Sequence, residues 1–450
     1  MATPLAEKVS REYAAVAPRL PAFVVSTARR RAAIDEILAR GLPSARDENW
    51  RYANLRVLDR TTFAPAEAVS DTLAARLPDP IAGFTRLLVI DGVLRDALTD
   101  DATGVSAQHG LSVRSLRARA GSAGGAAAPP LARLTTGADA DERFALLNEA
   151  FALDEIEIEI ATRAGRATPG LEGSAVPSVE LVYLSSGQGA TYPRVRIEAA
   201  AGTRLRLLEH HLGGAVGGLT NAVTEIAIGR GASVDHFRIQ RQEAEATWLD
   251  TLDVVVNGAG QYSLQQYGVG ARAARSTIRV RLAEPQASVV FHSAIIAEAQ
   301  QVQDVYARVE HAAPDTRSVE NFRALATGRG RVAFNGHVVV RPGAHGADSR
   351  QSLRSLIAGS EAEVDARPQL EIYNDDVKCS HGATAGKLDE AMLFYMLARG
   401  LAPETARSLL KWAFLADTVA HIGDVGVRLA IERVLAEHLK DPTIAAGRRE

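Results

Sequence analysis

The sequence predicts a mainly β chain with helical regions at both ends. Three observations carry this expectation. Short segments of alternating polarity replace helical spacing from about Asp154 onward. Turn residues then recur about 29 residues apart, at Gly202, Gly231 and Gly260 and, after a slip, at Pro285, Pro314 and Gly343. The segments before and after this stretch show helical spacing instead. A period near 29 is too long for the strand-to-strand interval of an ordinary sandwich, about 8–12 residues. It suits a coil in which each turn stacks on the last and buries a continuous apolar interior. A parallel β-helix is therefore expected, with a two-sheet sandwich as the alternative.

The N-terminal part reads as helical to about residue 60. Tyr13, Val16 and Leu20, then Ile34 and Leu38, recur at helical spacing, and Gly41 supplies a stop. Pro43 and Ser44 mark a turn into a short helix, with Trp50 and Tyr52 as aromatic anchors. LLVIDGVL (Leu87–Leu94) predicts a hairpin, because Asp91-Gly92 favours a type I′ turn. GSAGGAAAPP (Gly121–Pro130) reads as a flexible connector, and Asp141–Ala152 as a helix presenting Phe144, Leu147 and Phe151.

The alternating segments EIEIEIA, VELVYL, RVRIEA and RLRLLEH open the β region, which is expected to close near Leu370–Val377. Helices return at DEAMLFYMLAR (Asp389–Arg399), with Asp389 at its start and Gly400 at its end. Pro403 opens the next helix, with Leu409, Leu410, Ala413 and Phe414 as its expected apolar stripe. Gly423 breaks the pattern, Val427–Leu439 forms a last helix, and Ala445–Glu450 is expected to fray. The expected domains are 1–153, 154–370 and 371–450.

Composition narrows function. The 450 residues are 46% hydrophobic and 5% aromatic, so Ala, Val, Leu and Ile must build the core. A net charge of −3, from 51 basic and 54 acidic residues, argues against a nucleic-acid grip. One cysteine precludes an intrachain disulfide. The charged Met1–Tyr13 segment is unlike a signal peptide, and no apolar run approaches the ~18 residues of a membrane span. A cytoplasmic protein is the expectation.

The candidate site is that cysteine, Cys379, with His381, in DDVKCSHGAT. On an extended strand Asp375, Val377, Cys379 and His381 share a face. A thiolate and an imidazole suit a soft or borderline metal, but two ligands are too few for an iron–sulfur cluster, which takes about four. The pair is thus either inert packing or half of a site completed by another chain. Lys378 is expected to lower the thiol pKa, and Asp375 to orient His381.

Other motifs fail. HGATAGKL has three residues between Gly382 and Gly386, and Leu388 follows Lys387, so it is not a phosphate loop. There is no HExxH, CxxC or GxSxG. His210 and His211 are expected at the surface or rim, facing opposite sides. His236, His292, His311, His337 and His345 fall at no ligand spacing. Phe394, Leu397, Leu410 and Phe414 read as core, with a partner surface as the alternative.

RPQLEIYNDDVKCSHGATAGKLDEAMLFYMLARG (Arg367–Gly400) resembles the C-terminal signature of the SufB/SufD family of iron–sulfur cluster assembly proteins. LPSARDENWRYANL resembles that family's N-terminal Glu-x-Trp segment, and VEHAAPDTRS (Val309–Ser318) and FNGHVVV (Phe334–Val340) are also similar to it. Gly382, in place of a glutamate, and the lack of a second cysteine favour the SufD side of the family. The resemblance implies a right-handed parallel β-helix flanked by helical regions. It implies a non-catalytic scaffold pairing with a SufB-like chain, or with itself, and binding a SufC-like ABC ATPase. His381 and Cys379 would contact a transient iron or cluster, with no cofactor permanently bound. The ATPase would dock near Phe394, Arg399, Leu410 and Phe414. The rival readings are a β-helix polysaccharide lyase or hydrolase, and an interaction subunit that never touches metal.

Overall fold

The computed structural model describes residues 3–66, 77–95, 110–121, 141–161, 176–187, 189–214 and 218–439. All but the first residue of the expected connector Gly121–Pro130 lies outside them, as does the tail Ala445–Glu450.

Two parallel sheets face each other, and the chain alternates between them strand by strand from Arg194 to Gly386. Register partners on neighbouring coils lie 26 to 32 residues apart, which is the period legible in the turns. The core is therefore a parallel β-solenoid, and the sandwich alternative falls. Each coil is two strands of ten to twelve residues rather than several short ones from Arg204 onward. Both faces of most strands are buried, as expected of parallel sheets covered on each side.

The corners explain the period. Each turn amide donates to a carbonyl of the next coil: Gly202 to Arg230 (2.9 Å), Gly231 to Gly258 (2.8 Å), Ala259 to Pro285 (2.9 Å) and Gln286 to Pro314 (3.2 Å). The stack needs a left-handed residue at each corner, with φ of 71° at Gly202, 65° at Gly231, 52° at Ala259, 64° at Gln286 and 56° at Asp315. Glycine supplies it at Gly202 and Gly231 and again at Gly346, where φ is 70°; between them the signal passes to Pro285 and Pro314, each followed by the left-handed residue. The Asp91-Gly92 hairpin forms as expected, with φ of 50° and 79°.

Helices close the two outer faces. α1 (Pro4–Val16), α2 (Thr27–Arg40), the short α3 (Leu116–Gly121) and α4 (Arg143–Phe151) lie at the N-terminal end. Phe144, Leu147 and Phe151 of α4 pack with Tyr13, Trp50 and Tyr192. Asn148 of α4 donates to the carbonyls of Pro193 (3.0 Å) and Asn221 (2.7 Å), tying it to one sheet. Trp50 is an anchor as expected: it is buried, and its Nε1 donates to Asp141 at 2.8 Å.

α5 (Glu390–Ala398), α6 (Pro403–Val419) and α7 (Val425–Leu439) follow the solenoid. Trp412, Leu415 and Val419 of α6 and Val427, Ile431 and Leu435 of α7 pack on Phe237, Ile239, Tyr267, Ile296 and Leu325 of the other sheet. The expected stripe of α6 is corrected. Ala406, Ser408, Trp412, Leu415, Thr418 and Val419 are buried, while Ala413 is exposed and Leu409, Leu410 and Phe414 only half-buried. Trp412 sets the rotation of the helix: with Leu415 and Val419 it packs on the sheet, which turns Ala413 out to solvent.

The two ends of the solenoid differ. The N-terminal end is closed by antiparallel strands, Val93–Leu94 and Leu111–Ser115. At the other end Glu363–Ile372 and Val377–Gly386 each finish a sheet, paired on one side only among the described residues.

Candidate functional site

Cys379 and His381 lie on that last strand, Val377–Gly386. Cys379 is the register partner of Ser349, and His381 of Gln351. Cys379 is half-buried and packs with Val338, Val340 and Leu370 of the facing sheet, so its face looks into the lumen. His381, two residues on, shares that face and is exposed, because no further coil covers it. The structure thus brings the two candidate ligands together on the lumenal side of an open edge.

Burial raises the Cys379 thiol above its ordinary value, and the nearby Asp348 charge adds to the rise. The expected lowering by Lys378 is overturned: alternation sends Lys378 to the opposite, solvent-exposed face. No hydrogen bond links Asp375 to His381 among the described residues. Asp375 precedes the strand and accepts instead through its carbonyl from the Val377 amide at 3.1 Å.

Behind the pair, the lumen changes character. In the His381 column the residues run His236, Leu264, Phe291, Glu320, Gln351, His381; in the Cys379 column they run Val234, Tyr262, Val289, Ser318, Ser349, Cys379. The middle coils are therefore largely apolar and the last three polar. Ser318 and Ser349 hydroxyls lie 2.8 Å apart, and His311 spans Thr316 (2.8 Å) and Ser318 (2.9 Å) through its two ring nitrogens. Burial pushes His311 down to about 4, so the ring is neutral near pH 7. The VEHAAPDTRS and FNGHVVV stretches supply part of this polar lining and the wall facing it.

A second polar group sits deeper, inside the middle coils. Arg238 bridges Glu209 (2.7 Å) and Asp250 (2.7 Å), with His211 3.1 Å from Glu209 and Ser276 3.1 Å from Asp250. Burial works against the Glu209 carboxylate, but the Arg238 and His236 charges outweigh it and hold the group well below its usual range. The expectation of surface histidines is corrected here. His211 is 0% and His210 4% exposed. They do face opposite sides: His211 stacks on Tyr183 in the lumen at 4.7 Å, and His210 meets Glu180 at 3.1 Å on the outer face. Only the period-two pattern of polar residues in RLRLLEHHL and VDHFRIQ could have flagged these interior charges.

The remaining candidates lie on the C-terminal helices. Phe394 is 72% exposed, beside Met392 at 49% and Tyr395 at 54%. Asp389 caps this helix by accepting from the amides of Ala391 (2.9 Å) and Met392 (3.0 Å). Arg399 sits 4.9 Å from the Tyr395 ring. Leu410 and Phe414 are half-buried on α6, and Arg323 lies 5.8 Å from the Phe414 ring. Among the described residues no group of three His, Cys, Asp or Glu could hold a metal, and no helix is long and apolar enough to cross a membrane.

Residues 182–414 match the family described as SUF system FeS cluster assembly, SufBD core domain. Over 414 residues the chain is 25% identical to the iron-sulfur cluster assembly protein SufD of Escherichia coli K12, covering 90% of each. It is 26% identical to an iron-sulfur cluster assembly SufBD family protein of Synechocystis, covering 88% of this chain and 87% of that one. It is also 28% identical over 231 residues to the chloroplastic protein ABCI7 of Arabidopsis thaliana, half of this chain and 48% of that one.

Proposed function

Because the chain belongs to the SufBD family of the SUF iron–sulfur cluster assembly system, we propose that it is the SufD-like scaffold subunit. On this reading it pairs at its open end with a SufB-like chain, and Cys379 and His381 contact a nascent cluster across that seam. The carrying observation is that both candidate ligands occupy the last strand of the solenoid, whose outer edge is unpaired among the described residues. Two open edges of ten residues each are a template for further pairing, which folded proteins normally cover. Ile372 and Tyr373, 42% and 57% exposed, add apolar surface at the same end.

The chemistry fits a shared site. His381 offers a borderline nitrogen donor and Cys379 a sulfur donor whose raised pKa keeps it protonated until a metal displaces the proton. Two donors leave the remaining positions to the partner chain. The chain itself catalyses nothing on this reading. Its driving ATPase, of the ABC type, docks on the exposed Met392, Phe394 and Tyr395 face beside Arg399, with Leu410 and Phe414 behind it. The location is cytoplasmic, and no cofactor stays bound.

The test is purification from native cells followed by anaerobic reconstitution with iron and sulfide. A SufB-like chain and an ABC ATPase are expected to accompany the wild type. His381→Ala should lower bound iron and sulfide while association persists. Equal iron and sulfide in a Cys379/His381 double variant would leave a purely structural subunit, and loss of association in His381→Ala would make that residue structural.

A further inference from the structure

Glu320 stands two strands inside the open end, in the same register column as His381, with Gln351 between them. Strand spacing puts the two backbones about 9–10 Å apart. Glu320 is 1% exposed and Gln351 3%. Gln351 donates through Nε2 to Glu320 Oε1 at 3.2 Å. Glu320 Oε2 and Gln351 Oε1 have no hydrogen-bond partner among the described residues. A buried carboxylate so poorly satisfied is costly to keep charged.

The surroundings are built around this pair. Gly336 on the facing sheet has no side chain, and a Cβ there would come within 2.9 Å of Gln351 Nε2. Glycine at this position thus leaves room for the amide to reach Glu320. Phe322 and Phe334, stacked at 4.3 Å, close the floor. The groups beside Glu320 are uncharged: Ser318 and Phe322 on its own strand, Phe291 and Gln351 on its neighbours, and Gly336 across the lumen next to Gln351. The titratable groups nearest in the ladder are His311, reached through Ser318, and His381; Leu264 and Phe291 separate Glu320 from His236 of the inner ionic group.

Resting on the reading of His381 as a metal contact, we propose that Glu320, held by Gln351, is the buried counter-charge for a divalent cation taken up at the open end. With the site empty the carboxyl keeps its proton below about pH 7. A cation at His381 restores the balance, the O–H bond of Glu320 breaks, and its proton leaves to the buffer. In the low-dielectric lumen a charge two strands away is weakly screened, so the coupling acts without contact. Burial pushes this carboxyl up to about 7, which places its titration in the working range. Glu320 is a positioning group on this account, since it touches neither metal nor ligand.

The experiment is calorimetric titration with ferrous iron alone, anaerobically, on the full chain purified with its native partners. Using buffers of different ionisation enthalpy gives the protons released per iron bound. At about pH 6 the wild type should release about one proton more than Glu320→Gln, and at about pH 8 the difference should vanish. At about pH 8 the variant should bind iron about tenfold more weakly, having lost the charge. Glu320→Asp should restore the extra proton. Equal proton counts at about pH 6, with iron bound equally well, overturn the role of Glu320 alone. Unchanged iron binding in His381→Ala overturns it through the reading on which it rests.

Discussion

Ser349 and Cys379 stand side by side in the last rung of the ladder, and between them the protein passes from interior to surface. Ser349 is 0% exposed and Cys379, one strand farther, is half-buried. The thiol therefore sits where a single additional strand would seal it. Its reactivity should report on that seal. Because burial raises the thiol pKa, alkylation of the folded chain should be slow near pH 7 and climb about tenfold per pH unit toward and beyond 9. A partner covering the open end should suppress it further. Mass spectrometry after timed iodoacetamide treatment reads both effects; rapid labelling at neutral pH in the assembled state would place the thiol outside the seam.

The open edges themselves can be tested without touching the ligands. Ile372→Lys with Tyr373→Lys adds charge where both residues are already exposed. Stability should move by less than about 0.5 kcal/mol per substitution, as for other surface changes. Association through this end should fail, because charged side chains on an edge oppose edge-to-edge pairing. Light scattering and denaturant midpoints, measured side by side, separate the two. Intact association would move the interface elsewhere.

The coil period was legible because backbone geometry requires a left-handed residue at every corner, and Gly202 and Gly231 satisfy it in a way a sequence displays. The handover to Gln286 and Asp315 blurred it, since those residues adopt positive φ without advertising it. The site was legible as a type, Cys379 with His381, because alternation fixes their shared face. Its depth was not. Ser318, Glu320, Ser349 and Gln351 reach the same lumen from strands roughly 30 residues apart each, and only the register aligns them. Buried charges such as Glu209 and Arg238 were missed for a related reason. Polar residues in a strand read as solvent-facing until a second sheet is known to cover them.

The exposed apolar face of α5 gives a third prediction. Phe394 at 72% exposed contributes little to folding but is the kind of aromatic anchor that dominates interfaces. Phe394→Asp should leave the thermal midpoint nearly unchanged and, on the proposed docking, weaken capture of an ABC ATPase by about 2 kcal/mol or more. A buried control, Leu415→Ala at 0% exposed on α6, should instead cost about 2–5 kcal/mol of stability. Pull-down with the purified ATPase beside thermal melts decides it; unaltered binding by Phe394→Asp would remove this face from the docking surface.

The inner ionic group predicts a pH dependence with a definite sign. Burial alone would raise Glu209, but Arg238 and His236 hold its carboxyl well below its ordinary 4.5. A depressed carboxylate stabilises the fold above its unfolded pKa and loses that contribution as pH falls through the folded value. His311 acts in the same direction by a different route. Burial lowers it to about 4 from an ordinary 6.5, so its contribution is whole above about 6.5 and declines toward 4 as the unfolded chain takes up the proton first. Urea midpoints should therefore drop between pH 6.5 and 4, and drop again below 4.5. His311→Asn should flatten the first decline while leaving the second. Arg238→Met should cost about 3–5 kcal/mol at neutral pH, because it strands Glu209 and Asp250 as uncompensated buried charges. Its penalty should shrink in acid, where protonation relieves the Glu209 carboxylate. A penalty independent of pH would mean that Arg238 serves packing rather than charge balance.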